Sequence, residues 1–383
     1  MYNVMGHGAM IADGVRMSAY RNALRLAITP GVTVLDVGTG SGVFAMFACQ
    51  FGARKVYAIE AGESIQLARQ IAAANGFERC IEFIEGRSTD TQLPERADVI
   101  VSDLRGVLPL FGHHLPAIID ARNRLLAPGG IMIPQSDQLW AAVVDSSELS
   151  NVYAGPWKSA LHGLDMRAGA AFATNSWGKA RVAPSQLLTD PMLWATLHYA
   201  SVSEADVSGS LRWCCERPGT AHGITVWFDA LLIAGETYSN SPMSSELLYG
   251  QAFFPLSQPV VVEAGDKIAV TLNARLIGED YLWRWRTTIQ AEGESSRLKA
   301  AFDQSTFFGA ILSKDRLNKR TATYCPKRSR DGEVDYFILG LMDGATPLKV
   351  IAERVRDHFP ELFASDKRAL AYVADVSQRS SST

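Results

Sequence analysis

The stretch "VLDVGTGSG" (residues 34–42) constrains the fold more than any other. An apolar run ends in Gly38, Gly40 and Gly42, and an apolar-faced helical segment, "VFAMFACQFG", follows at once. Close glycines between a strand and a helix let bare backbone approach a ligand where a Cβ would clash. The dinucleotide pattern GxGxxG would set the last glycine one place later. The next apolar run, "KVYAIE", ends in Glu60. A carboxylate at the end of the second strand accepts hydrogen bonds from two ribose hydroxyls. Loop and acid together specify a nucleoside-containing cofactor.

Around this motif, residues 31–134 alternate between strand and helix signals. "VTVLDVG", "KVYAIE", "IEFIEG", "ADVIVSD" and "IMIP" have strand length, while "SIQLARQIAAANG" and "LPAIIDARNRLLAPGG" carry helical faces. Such alternation gives a parallel sheet with helices on both faces. After Pro134 the runs become strand-like and turn-separated, including "LWAAVVD", "LWATLHYA", "SGSLRWCCE" and "ITVWFDALLI". That is the texture of an antiparallel sandwich or barrel. Residues 152–180 lack strand character and read as an excursion from it. In the tail, Leu348, Ile351, Ala352, Val355 and Phe359 share one helical face. Thr346 suits its N-cap and Pro347 its first position. A second helix follows in "SDKRALAYVADVSQ". The expected domains are 1–134, 135–302 and 303–383.

Composition narrows the class. Of 383 residues, 47% are hydrophobic and 20% charged, and the net charge of -3 gives no reason to expect a nucleic-acid-binding face. No run approaches the roughly 18–20 apolar residues that span a bilayer. The start, "MYNVMGHGAM", lacks the basic and apolar regions of a signal peptide. Cys49, Cys80, Cys214, Cys215 and Cys325 have no framework spacing and no CxxC. They read as reduced thiols, not metal ligands, in a cytoplasmic protein without a membrane partner.

Two polar stretches carry chemistry. "EGRSTD" places Ser88 and Thr89 where an adenine edge would lie after the third strand. "VIVSDLRGVLPLFGHH" (99–114) ends a strand in Asp103, then presents Arg105, His113 and His114. An imidazole near neutrality is a candidate general base. Arg105 could bind a substrate carboxylate or phosphate, or brace the loop.

These residues resemble the protein arginine methyltransferase family, class I enzymes that use S-adenosylmethionine. "HGAMIADGVRMSAYRNAL" (7–24) looks like its N-terminal signature, and "VLDVGTGSGVFAMFACQFGARKVYAIEA" (34–61) like its cofactor motif. "LPERADVIVSDLRG" and "RNRLLAPGGIMIP" resemble its catalytic-loop entry and its last helix and strand, and "HGLDM" (162–166) its dimerisation arm. The resemblance implies a Rossmann-like α/β methyltransferase domain, a β-barrel domain with a dimerisation arm near 152–180, and a homodimer. It implies that Arg16 pairs with the methionine carboxylate, that His7 belongs to a lid over the cofactor, and that Asp36, Gly38, Gly40, Glu60, Ser88 and Thr89 line its site. The family clamps a guanidinium with two glutamates. The first falls on Asp103, the second on Gly112, which has no side chain. Its Thr-His-Trp loop falls on Leu247, Leu248 and Tyr249. The tail "YFILGLMDGATPLKVIAERVRDHFPELFASDKRALAYVADV" is similar to the small winged-helix peptide-binding domains of peptide-modifying pathways, such as the pyrroloquinoline quinone peptide chaperone.

The expected activity is therefore methyl transfer to a nitrogen of a peptide or specialised small molecule, with protein arginine next and a carboxylate or hydroxyl after it. Asp103, His113, His114 and Arg105 are the candidate catalytic residues. A non-catalytic scaffold that keeps the cofactor is the rival reading. A nicotinamide-dependent oxidoreductase is disfavoured by the glycine spacing and Arg16.

Overall fold

The computed structural model describes residues 3–158, 162–293 and 297–381. Two helices, α1 (Val4–Ala12) and α2 (Gly14–Ala27), precede β1 (Thr33–Val37). The side chains of Asn3 and Asp13 start them by accepting from the amides of Gly6 and Arg16. Then come α3 (Val43–Gln50), β2 (Lys55–Glu60), α4 (Ser64–Ala74), β3 (Ile81–Glu85), β4 (Ala97–Ser102), α5 (His114–Arg124) and β5 (Leu126–Ile133). The strands pair in parallel in the order β3-β2-β1-β4-β5. β1 is buried at every position, as a central strand covered on both faces must be. The order reverses between β1 and β4, and open α/β sheets bind ligands at such a reversal. The glycine loop leaves β1 and the Asp103 loop leaves β4, so both meet there. The helix expected to reach Gly130 stops at Arg124. Pro128 lacks the amide a helix interior needs and Gly129 has φ +78°, so the chain turns to strand early.

The second half is antiparallel. β6 (Ser136–Val144) is followed by the excursion, α6 (Ser147–Lys158), α7 (Ala168–Ala173) and β7 (Gly178–Ala180). Residues 159–161 of the expected arm lie outside the described residues. β8 (Met192–His198), β9 (Val207–Cys214), β10 (Gly219–Ile233), β11 (Glu236–Ser239), β12 (Gln251–Val262), β13 (Lys267–Ile277), β14 (Asp280–Gln290) and β15 (Leu298–Ser305) complete it. One sheet runs β7-β12-β10-β6-β8 with β11 beside β10, the other β15-β14-β13-β9. Among the described residues no ladder joins the two sheets into a closed barrel. A single apolar core spans both halves, from Val34 and Leu35 through Tyr20, Phe228 and Tyr238 to Trp283 and Trp285. α8 (Thr306–Gly309) ends this unit, which closes at Ala310. The boundary expected after residue 302 therefore falls inside β15.

Residues from Ile311 form a second unit with α9 (Lys314–Asn318), α10 (Arg330–Leu341), α11 (Leu348–His358) and α12 (Asp366–Ser380). Val334, Ile338, Ile351, Val355, Phe359 and Val373 make its separate core. Its helical character matches the sequence, but no strand accompanies the helices among its described residues, so a wing is not present. Pro347, not Thr346, is the N-cap of α11. Asp343 accepts instead from the amides of Ala345 and Thr346.

Candidate active site

The glycine loop owes its shape to two acids. Asp36 Oδ2 accepts from Thr39 Oγ1 at 2.6 Å and from the Ala45 amide at 3.1 Å. Burial pushes its carboxyl up to about 7. Expected as a cofactor contact, Asp36 instead lies beneath the loop and ties it to the start of α3. Glu60 accepts from the amide of Gly40 at Oε2 and of Gly62 at Oε1, both at 2.9 Å. It also lines the cleft, and each oxygen keeps a second lone pair for a hydroxyl. Gly38 and Gly40 have φ of +73° and +53°. A Cβ on Gly38 would come within 2.1 Å of Leu104 Cδ2, and one on Gly40 within 3.0 Å of His7 Cε1. The loop is thus closely covered by the Asp103 loop on one side and α1 on the other.

Two adjoining cavities of about 340 and 610 Å³ open here, sharing Gly38, Glu60, Leu104 and Phe111. Each falls in the range of roughly 300–1,000 Å³ usual for small-molecule sites. The first is lined by His7, Met10, Arg16, Phe44 and Asp103, the second by Ser88, Thr89, Gly112, His113 and Glu279.

Asp103 is the centre of the first cavity's charge. Its Oδ2 accepts from Arg16 Nε at 2.5 Å and from the Tyr249 hydroxyl at 2.6 Å. Its Oδ1 faces Arg105 Nε at 3.6 Å. Burial alone would raise this carboxyl, but Arg16, Arg105 and the Tyr249 hydroxyl outweigh it and hold it below the usual range. Burial pushes the Tyr249 phenol far up, with Asp103 adding to it, so the phenol stays protonated and donates. Arg16 Nη1 donates to the Met10 carbonyl at 3.1 Å and the guanidinium stacks 5.1 Å from the Phe44 ring. Its Nη2 meets no partner among the described residues.

Arg105 and His114 turn inward, away from an acceptor. Arg105 is wholly buried, with Nη1 donating to Tyr238 at 2.6 Å, Nη2 3.0 Å from Asp137 Oδ2, and the guanidinium 5.0 Å from the Phe228 ring. Its guanidinium braces the loop from beneath, although the residue also lines the first cavity beside Asp103. His114 Nε2 lies 3.1 Å from the Tyr199 hydroxyl, which donates to Asp137. Burial, and then Arg105, press its imidazole down to about 3. A ring that weakly basic is a poor general base at neutral pH. His113 is exposed and its Nε2 sits 3.2 Å from Glu279 Oε2 in the lining of the second cavity, whereas Asp103 lines the first. Neither histidine therefore shares the work of Asp103. Ser88 and Thr89 do reach the second cavity, but Arg124 Nη2 occupies their carbonyls at 2.8 and 3.2 Å.

The side chain that does meet Asp103 is Tyr249, which falls in the stretch aligned with the Thr-His-Trp loop but is too distant in sequence for that alignment to pair it with Asp103. Asp137, Tyr199 and Tyr238, which anchor Arg105 and His114, carried no signal either. Among the described residues no group of His, Cys, Asp or Glu is placed to hold a metal, and all five cysteines are free. The site suits S-adenosylmethionine. It offers a guanidinium edge without a partner among the described residues at Arg16 and a carboxylate with free lone pairs at Glu60, on cavities that meet at the glycine loop.

Comparison with known proteins agrees. Residues 28–179 match the family described as Methyltransferase domain, and residues 135–285 the Arginine methyltransferase oligomerization subdomain. Protein arginine N-methyltransferase 6 of Xenopus tropicalis is 32% identical over 296 residues, covering 73% of this chain and 87% of that one. Protein arginine N-methyltransferase PRMT10 of Arabidopsis thaliana is 33% identical over 301 residues, covering 69% and 78%. The crystal structure of Arabidopsis thaliana protein arginine methyltransferase 10, described as a uniquely open conformation, superposes with a TM-score of 0.71 at 26% identity, over 79% of this chain and 97% of that one. The Trypanosoma brucei PRMT1 enzyme-prozyme heterotetramer with AdoHcy shares the fold, with a TM-score of 0.70 at 24% identity over 78% and 97%.

Proposed function

This chain belongs to the protein arginine N-methyltransferase family and is an S-adenosylmethionine-dependent methyltransferase, and from that premise we propose that it methylates a guanidino or amino nitrogen of a peptide, a protein or a specialised small molecule. One observation carries this reading. Asp103, just past the carboxyl end of β4, lines the first cavity beside the glycine loop and is held by Arg16 and Tyr249, while the position that the family resemblance gives to a second acid is Gly112.

S-adenosylmethionine supplies a methyl group on a positively charged sulfur. The residues do the rest. Arg16 offers its open Nη2 edge to a carboxylate, a contact a guanidinium makes with directional hydrogen bonds. Glu60 accepts from ribose hydroxyls while holding Gly40 in place. Leu104, Phe44 and Phe111 form apolar walls that exclude water, which in-line transfer requires. Asp103 is held too acidic to be a strong base. Its role is to fix an acceptor N–H so that the nitrogen lone pair points at the methyl carbon. Two arginines already surround this one carboxylate. A guanidinium acceptor would add a third cation, whereas a neutral amine would not, so the site favours an acceptor whose charge is low or shared.

The chain acts as a homodimer in this reading. Support comes from the match to an oligomerization subdomain and from exposed apolar side chains at Val152, Leu164 and Phe172 in the excursion and at Val4, Met5 and Ile11 in α1. Sedimentation equilibrium tests it: a monomer at micromolar concentration would refute it. For activity, the protein is incubated with methyl-labelled S-adenosylmethionine and either arginine-containing peptides or free amines. Label on nitrogen supports the proposal. Tight cofactor binding with label on oxygen alone, or with no transfer to any acceptor, would refute it.

A further inference from the structure

The turn between β13 and β14 brings a carboxylate to the second cavity, in addition to Glu60. The two strands pair without interruption from Lys267↔Gln290 to Ile277↔Asp280, leaving only Gly278 and Glu279 at the tip. Gly278 has φ +64°, which a two-residue hairpin turn demands. A long, regular ladder thus fixes where Glu279 stands. Its carbonyl oxygen is 3.9 Å from the point a Cβ on Gly112 would occupy. Its Oε2 lies 3.2 Å from His113 Nε2 and 3.5 Å from Arg87 Nη2. The tip therefore spans the two walls of the second cavity, the loop after β3 and the start of α5. Glu279 Oε1 meets no partner among the described residues.

The order of groups along the cleft says which part of the cofactor lies there. Arg16 marks the carboxylate end and Glu60 the ribose. The second cavity continues from Glu60 to Gly86, Ser88 and Thr89, so the base must lie beyond the ribose on that side. An adenine needs an acceptor for its 6-amino group. The carbonyls of Ser88 and Thr89 each already accept from Arg124 and are turned toward it, and Thr89 Oγ1 donates to Asp90, so Glu279 offers the acceptor with no partner among the described residues. Glu60 and Glu279 are the two carboxylates lining this cavity, and Glu60 is committed to the loop and the ribose.

We propose that Glu279 reads the cofactor's base, its free carboxylate oxygen accepting from the 6-amino group of adenine, so that the site selects adenine over a 6-oxopurine. Arg87 and His113 hold the other oxygen and set the carboxylate's direction. A 6-oxopurine would turn an acceptor oxygen toward the same carboxylate and be repelled. The inference depends on the cofactor and not on the acceptor.

Calorimetric titration tests it with S-adenosylhomocysteine and S-inosylhomocysteine on the wild type, Glu279→Ala and Glu279→Gln. The position is an exposed hairpin tip, so these variants keep the fold. The wild type binds the adenosyl ligand more tightly. Glu279→Ala weakens that ligand about tenfold, the scale of one hydrogen bond to a charged group, and leaves the inosyl ligand as tight or tighter. Glu279→Gln, whose amide can donate to a 6-oxo group, improves the inosyl ligand above its wild-type affinity. An equal loss for both ligands would reduce Glu279 to a brace across the cleft, and no loss for either would remove it from the site; each overturns the proposal.

Discussion

Replacing Tyr249 with phenylalanine isolates what the phenol does. The change deletes one buried oxygen that donates to Asp103 at 2.6 Å and accepts from Arg16 Nε at 3.1 Å. The ring stays, packed 5.7 Å from Phe228. A hydrogen bond to a charged group contributes about 1.5–3 kcal/mol. Asp103 keeps Arg16 and Arg105, so no buried charge is stranded and the cost stays below the roughly 3–5 kcal/mol of a broken buried pair. We expect a loss of about 2 kcal/mol in urea unfolding at pH 7. The pH dependence follows from Asp103. Its folded pKa lies below the ordinary 3.8, so its stabilisation is complete above that value and lost as pH falls through the folded pKa. Removing the phenol raises the folded pKa toward 3.8, so the variant's deficit is full at pH 7 and shrinks below 3.8. Turnover should fall about tenfold, the equivalent of 1.4 kcal/mol, because Asp103 loses one of the groups that aim it. A phenylalanine variant with the wild-type unfolding midpoint and the wild-type kcat would show that the phenol only fills space.

Three further outcomes follow from the same network. Arg16→Lys keeps the charge but removes the planar fork, and calorimetry should show S-adenosylhomocysteine binding weakened about tenfold or more. His114→Gln should flatten the acid side of the stability profile. The buried ring is neutral well above pH 3, while the unfolded histidine takes a proton near 6.5, so the wild type loses stability as pH falls between about 6.5 and about 3, at up to about 1.4 kcal/mol per pH unit; urea midpoints across that window measure the difference. Gly112→Glu should lower KM for an arginine peptide by restoring a second acid, at a stability cost of about 1–2 kcal/mol because Gly112 has φ +47°.

What the sequence disclosed is what lies close together along it. The strand, glycine loop and helix of residues 33–50 form one continuous signal, and Glu60 and Asp103 each stand where a strand ends. The parallel order follows from the alternation of elements. Arg16 was legible because its surrounding signature is local. Tyr249 was not, although it fell in an identified loop, because its contact with Asp103 spans 146 residues. Arg105 and His114 sit beside Asp103 in sequence, yet their partners Asp137, Tyr199 and Tyr238 come from the antiparallel half and draw both side chains inward. β14 shows a different failure. Tyr281, Trp283, Trp285, Thr287 and Ile289 alternate as a strand requires and are all buried, but the arginines between them disguise the run. β15 pairs with β14 through Ser305 but does not alternate, so nothing in its sequence carried the unit past residue 302 to Ala310.

Whether Asp103 aligns the acceptor nitrogen is read from the kcat of Asp103→Asn and Asp103→Glu with a nitrogen acceptor, measured beside cofactor affinity. The asparagine variant should bind S-adenosylhomocysteine but transfer methyl about 100-fold or more slowly, as loss of acceptor alignment implies, and the glutamate variant should recover part of the rate. An asparagine variant that transfers methyl at the wild-type rate would contradict that role for Asp103.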